Sequence, residues 1–593
     1  MKKHQLIKTL STSVMMSWLV ACSSIGDQEI LNGSVENAST IRIENMRVEK
    51  VLNGGQGMAV AAHPEAAKAA SKVLMAGGNA ADAAVAAGFA ISVVEPTMNS
   101  IGGRSQILVR RANGDYFAIN GMTEIPASYS RPEEPVANGY GVIATPGVVA
   151  ALARVHKEHG SLPWSDLVQP AIELAENGFE MLPGGAYRHE RGLDDVKDNP
   201  GFQVNILSNG VTAPAGEVFQ QPNLAATLKK IAAEGAESFY TGEISSQIAS
   251  DMEANGGYVT AEDLANYKAL DGRYISTSYR GYEIHTIAAP AGGGLVVKAL
   301  NVLENFALDS MSELEWAAVV NQALAIAVRT MNEDYEEADL KLVVSKHWAK
   351  QAAIEVTVPS LPEAGQAFSA VEEPLSLASV DWTGDSWGKE SHHTTHFVTA
   401  DCAGMAVSIT QTIGPLFGSK VITPELGFPY ASTMGSYLST AAQSPGSRPR
   451  TTIAPTIVTK DGEVVMVLGA AGGLRILSGI VQTISRYADQ GMSLSDAVAA
   501  PRVHPTTSSD PETRQISVNL MGFHAEQTAE NGWSETDVER WQAAGFDVKP
   551  NIRTAAFARV QALGRDNGQW QGAADLDWEG AAVASDEYNC KVR

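Results

Sequence analysis

Residues 392–412 read HHTTHFVTADCAGMAVSITQT, and the organisation of the chain follows from this stretch. Two runs rich in Thr, Val and Ile, 394–400 and 405–412, flank Asp401-Cys402-Ala403-Gly404, a pattern that predicts a β-hairpin. A second hairpin is predicted at 456–459 and 464–468 around the turn Lys460-Asp461-Gly462. Upstream, apolar residues recur at helical spacing over 64–77, 79–94, 147–159, 164–177, 224–234 and 312–332. Gly77-Gly78 ends the first of these helices, Asn79 caps the second and Ser312 the last. Two more helices are expected at 479–489 and 493–500. Helices first and hairpins later predict an α+β core assembled from both halves of the chain.

The 593 residues are 44% hydrophobic and 19% charged, the balance of a soluble globular protein. A formal charge of −24 excludes a nucleic-acid partner, since no basic surface is available to neutralise phosphates. The acidic run Glu333-Asp334-Tyr335-Glu336-Glu337 reads as a solvated face. Lys2, Lys3 and Lys8 precede an apolar stretch far shorter than the ~20 residues of a membrane span, so the start reads as an export signal. Leu19-Val20-Ala21-Cys22 looks like a bacterial lipobox. The expected division is a signal peptide at 1–21, a lipidated tether at 22–50 anchored through Cys22, and a folded protein beyond. The expected location is the periplasmic or outer-membrane face, with the lipid as the sole membrane contact. Cys402 and Cys590 can pair in such a compartment, and the sequence leaves that open.

His392, His393 and His396 fit no familiar zinc spacing and have no accompanying cysteine or carboxylate, so no metal or other cofactor is expected. An ordered series of short motifs gives the segment its meaning. Gly77-Gly78-Asn79-Ala80-Ala81-Asp82-Ala83-Ala84-Val85 is followed by Val94-Glu95-Pro96 and Gly102-Gly103. Pro146-Gly147, Leu162-Pro163-Trp164 and Tyr279-Arg280-Gly281-Tyr282 come next. Thr394-Thr395-His396, Phe417-Gly418, Arg448-Pro449, Gly472-Gly473 and Ala500-Pro501-Arg502 complete the series. From about Met58 to its end the chain resembles the γ-glutamyltranspeptidase family of N-terminal-nucleophile hydrolases.

The resemblance implies a four-layer αββα sandwich and self-cleavage between His393 and Thr394. A large fragment, 51–393, would remain paired with a small one, 394–593, as an intramolecular heterodimer. Thr394 would then carry both the nucleophilic hydroxyl and a free α-amine, whose unperturbed pKa of about 7.7–8.0 suits a base near neutral pH. The substrate would be a small amide or peptide, and the acceptor water or an amino acid. Thr412 matches the threonine that orients the amine, and Gly472-Gly473 the backbone amides of the oxyanion hole. Thr451-Thr452 replaces the usual serine pair that contacts the substrate carboxylate.

The departures concern the acyl group. Met122 stands where the family has an arginine clamp, Gly414 where it has an asparagine, and Thr433 and Ser436 where a glutamine and an aspartate hold the α-amine. Losing the clamp and the aspartate costs about 3–6 kcal/mol of binding to a glutamyl group, at roughly 1.5–3 kcal/mol per charged hydrogen bond. Arg104 and Arg450 are cations at positions where the family has glycine and an apolar residue, and are candidate replacements. Three functions follow: an amidohydrolase for γ-glutamyl compounds such as glutathione, the same chemistry on a glutaryl or other dicarboxylic amide, or a non-catalytic scaffold lipoprotein.

Overall fold

The computed structural model describes residues 41–43, 46–134, 136–331, 340–361, 393–435, 444–505, 515–519, 532–551, 558–577 and 579–585. The stretch read as a signal peptide, Cys22, His392, the acidic run at 333–337, Ser436 and Cys590 lie outside them. Residues 42–593 form one compact unit.

Two mixed-origin sheets make the centre of this unit. The first runs in the order Met46–Glu49, Ala581–Ser585, Gly57–Ala61, His393–Ala400, Ala406–Gly414, Arg104–Arg110, Tyr116–Gly121, Leu270–Asp271. The second runs Tyr274–Tyr279, Tyr282–Ile287, Thr456–Lys460, Glu463–Ala471, Arg559–Asp566, Gln569–Ala574, Val51–Asn53. Both predicted hairpins are present, with Phe397 opposite Ile409 in the first and Ile457 opposite Val467 in the second.

Three apolar layers separate the four structural ones. Val60, Leu108, Val398, Ala406, Val467 and Leu563 pack between the two sheets. Helices Pro64–Met75 and Ala80–Val94 cover the outer face of the first sheet through Ala, Val and Phe89. Helices Gly293–Leu303, Glu313–Arg329 and Arg475–Asp489 cover the second through Leu300, Val320 and Ile480. The arrangement is therefore the αββα sandwich.

Ala80–Val94 is buried on every side. Its alanines allow close approach, and its N-terminus is closed by a capping box in which Asn79 accepts from Ala81 and Asp82 while Asp82 accepts from Asn79. The hairpin is fastened to that same end. Asp401 accepts from the Ala80 amide at 3.0 Å, and Thr399 donates to the Ala80 carbonyl at 2.7 Å.

The structure departs from the sequence reading in three ways. Gly57–Ala61, Arg104–Arg110 and Tyr116–Gly121 are strands, so the first half is not helical alone. Met46–Glu49 pairs with Ala581–Ser585, so sheet structure starts inside the stretch read as tether. The helix expected at 479–489 begins earlier, at Arg475.

Candidate active site

Thr394 is the second residue of the strand His393–Ala400 and is buried. Pairing with Ala406–Gly414 is regular from Ala400 back to Thr395, opposite Gln411, and then shifts, so that His393 faces Gly414. The orienting strand thus carries one extra residue opposite Thr394, a β-bulge that re-aims side chains locally. Gly414, with φ of +92°, accommodates the bend.

The bulge brings the Thr394 and Thr412 hydroxyls together. Thr394 Oγ1 donates to Thr412 Oγ1 at 3.3 Å, and Thr412 Oγ1 donates to the His393 carbonyl at 2.6 Å. The Gly414 amide donates to Thr412 Oγ1 at 2.9 Å, fixing its lone pairs. The carbonyl of the His393–Thr394 bond is thereby polarised by a hydroxyl that also accepts from the Thr394 hydroxyl. On the other side, Arg559 Nη2 donates to the Thr394 carbonyl at 2.9 Å.

Gly472 and Gly473 follow the strand Glu463–Ala471 with φ of +135° and +61°, conformations that side chains resist. The turn opens the helix Arg475–Asp489, whose first amides and dipole favour negative charge. Thr452 Oγ1 donates to the Gly473 carbonyl at 2.8 Å, so this hydroxyl braces the turn. Thr451 Oγ1 accepts from the Ile453 amide at 3.3 Å, and its own amide donates to Pro290 at 2.7 Å. The two sheets meet closely behind the site. A Cβ on Gly469 would lie 2.3 Å from the His396 ring, and His396 Nδ1 is 2.8 Å from Thr410 Oγ1. Burial pushes the His396 pKa down to about 3, so the ring is neutral at working pH. Among the described residues no cluster of His, Cys, Asp and Glu is placed to hold a metal ion.

Arg104 lies directly opposite Thr412 on the neighbouring strand, so the two side chains share a face of the sheet. It is fully buried, with Nη1 donating to the Ser432 carbonyl at 3.0 Å and to Thr433 Oγ1 at 3.3 Å; Thr123 Oγ1 sits 2.9 Å from Thr433 Oγ1. Met122 is also fully buried and joins the apolar cluster of Leu295, Ile453 and Ala454. Arg450 is buried too. Cys402 is disulfide-bonded. Sequence reading missed Arg559, which no motif marked, and gave Glu95 no role although it quoted Val94-Glu95-Pro96.

The model of the gamma-glutamyltranspeptidase family matches residues 66–585. The chain is 30% identical over 486 residues to a glutathione hydrolase proenzyme of Escherichia coli (strain K12), covering 76% of this chain and 81% of that protein. It is 34% identical over 487 residues to an acylase ACY 1 proenzyme of Pseudomonas sp. (strain V22), covering 77% and 83%. Among solved structures, the cephalosporin acylase from Bacillus halodurans superposes with a TM-score of 0.77 at 26% identity, over 94% of this chain and 99% of that one. With its sandwich fold and its match over nearly the whole folded region, the chain belongs to the γ-glutamyltranspeptidase family, whose members named here are hydrolases and acylases.

Proposed function

We propose that the chain is an amide hydrolase that cuts itself between His393 and Thr394 and then works through Thr394. The hydrogen-bonded row from the Thr394 hydroxyl through Thr412 to the His393 carbonyl carries this reading. Thr394 Oγ1 attacks the His393 carbonyl carbon while Thr412 donates to the developing oxyanion. The C–N bond breaks as the proton given up by the attacking hydroxyl reaches the Thr394 nitrogen, leaving an ester that water hydrolyses to a His393 carboxylate and the free hydroxyl. The freed amine is then the base for the same hydroxyl on a substrate amide, and the Gly472-Gly473 amides receive the tetrahedral oxygen. Water or an amino acid releases the acyl group.

For that acyl group, γ-glutamyl compounds such as glutathione are one reading, suggested by the glutathione hydrolases. A dicarboxylic acyl group lacking the amine, such as glutaryl, is the reading we favour. Met122 puts a thioether in the apolar core where a clamp would stand, and the Arg104 guanidinium bonds Thr433 where an α-amine would be held. A cation there repels an ammonium and attracts a carboxylate. The protein acts at the periplasmic or outer-membrane face, held through a lipid on Cys22.

Mass spectrometry of protein expressed with its signal tests these points together. It should give one fragment starting at Thr394 and another starting at acylated Cys22. Thr394→Ala should remain one inactive chain. A wild-type chain that never splits would favour a scaffold role. Glutaryl-p-nitroanilide should be turned over faster than the γ-glutamyl compound at equal concentration, and parity or the reverse order would refute the acyl assignment.

A further inference from the structure

Behind the candidate nucleophile lies a row of four alternating charges. Arg559 Nη1 lies 3.2 Å from Glu95 Oε1, and Arg188 Nη2 lies 3.6 Å from both Glu95 Oε1 and Glu579 Oε2. Glu579 Oε1 also accepts from the Gly185 amide at 3.1 Å. Three of the side chains are at most 2% exposed and Glu579 is 11% exposed. Burial alone would raise both carboxyl pKa values, but the guanidiniums outweigh it and hold Glu95 and Glu579 below the ordinary range.

The row crosses the division of the chain. Glu95 ends the helix Ala80–Val94 and Arg188 belongs to the helix Pro183–Val196, both before residue 394. Arg559 opens the strand Arg559–Asp566 and Glu579 precedes the strand Ala581–Ser585, both after it. Arg559 also stands beside the glycine turn. It pairs with Ala471, the residue before Gly472, and a Cβ on Gly472 would lie 3.0 Å from the Ala558 Cα. Arg559 therefore joins three parts of the site: its guanidinium holds the Thr394 carbonyl and a carboxylate from before residue 394, and its main chain pairs beside the glycine turn.

We infer that Arg559 is a positioning residue: anchored by Glu95, it fixes the Thr394 main chain relative to the glycine turn, and with Arg188 and Glu579 it forms a buried clasp across the two fragments. This rests on Thr394 being the nucleophile. Cleavage leaves Thr394 as a chain end with no covalent support on its amine side. A grip on its carbonyl then replaces part of the restraint the bond had given. A guanidinium suits this task because its fixed fork serves a carbonyl and a carboxylate at once. Buried charges in such a row are costly to break singly, so each member holds its neighbours in place.

The test compares the precursor and the mature enzyme of wild type, Arg559→Gln, Arg559→Lys and Glu95→Gln. Self-cleavage is followed on gels and turnover with glutaryl-p-nitroanilide. Arg559→Gln should slow self-cleavage by about tenfold or more and lower kcat to a similar degree with KM unchanged, since misplacement of about 1 Å can cost ~10²-fold. Arg559→Lys should recover part of both, because one ammonium reaches only one of the two acceptors at a time. Glu95→Gln should give a smaller loss in the same direction, and it decides the matter if Arg559→Gln fails to fold. Wild-type rates in Arg559→Gln, or in Glu95→Gln where that variant decides, would overturn the inference. So would a loss appearing in KM alone. A wild-type chain that does not cleave would instead refute the proposed function.

Discussion

The Thr412 hydroxyl makes three hydrogen bonds: it receives from Thr394 and Gly414 and gives to the His393 carbonyl. Valine has the same shape without the hydroxyl. Thr412→Val would leave a buried carbonyl, a buried amide and the Thr394 hydroxyl short of a partner, each costing about 1–3 kcal/mol. In the proposed self-cleavage the carbonyl matters most, because its charge would grow as the His393–Thr394 bond is attacked. Loss of one such donor slows acyl chemistry by about 10²–10³. Thr412→Val should therefore accumulate uncleaved precursor, while Thr412→Ser, which keeps the hydroxyl, should process within about tenfold of wild type. A cleavage time course checks this, and a Thr412→Val chain that matures at the normal rate would remove Thr412 from the chemistry.

At the scale of elements, the two sheets approach closely where Gly469 faces His396, two residues along the strand from Thr394. Adding a methyl at Gly469 places carbon 2.3 Å from His396 Cε1, where both groups are fixed in strands. Overpacking of this kind costs about 1–3 kcal/mol, so Gly469→Ala should lower the urea midpoint by a matching amount. An unchanged midpoint would mean that the sheets do not approach so closely. The same burial explains what could be read from sequence. The hairpin at 393–414 was legible because its turn residues interrupt two β-prone runs. Ser312 was legible because its cap geometry is local, and it does close a capping box with Glu315. Gly57–Ala61 and Arg104–Arg110 were not, because strands covered on both faces lose the period-2 alternation that marks a half-exposed strand. Gly293–Leu303 carried no signal either, because it begins with two glycines, poor helix formers that tertiary packing holds in the helix. At the site, Thr394, Thr412 and the glycine pair carried a motif. The neighbourhood of Arg104 with Thr412 and Thr433 is a matter of strand register, which no local pattern contains.

For the whole molecule, both sheets combine strands from before and after residue 394: in the second, a block of four later strands is flanked on both sides by earlier ones, and in the first Gly57–Ala61 lies between two later strands, so each part completes the sheets of the other and the two should unfold together. The pH dependence of that unfolding follows from the interior. Burial pushes His396 down to about 3, and burial with the nearby Arg188 does the same to His189. His63 and His504 are also lowered, chiefly by burial. In the unfolded chain these rings take protons near 6.5. Below that point the unfolded state binds protons that the folded state refuses, so stability falls with pH, by at most about 1.4 kcal/mol per unit for each ring. The loss continues until the folded rings also protonate, near 3 for His189 and His396. Glu95 and Glu579, held low in the fold, add their own loss only below about 4.5, where unfolded glutamate protonates. Asp401, raised by burial, works in the opposite direction at acid pH. Between pH 6.5 and 5 the histidines therefore act largely alone. The Tm of the cleaved protein should fall steadily across that interval, and His189→Phe, which keeps an aromatic ring against Phe219 and Phe417 without the titrating group, should flatten the slope. A Tm that is level from pH 7 to 5 would mean that these rings are hydrated and free to protonate in the native protein.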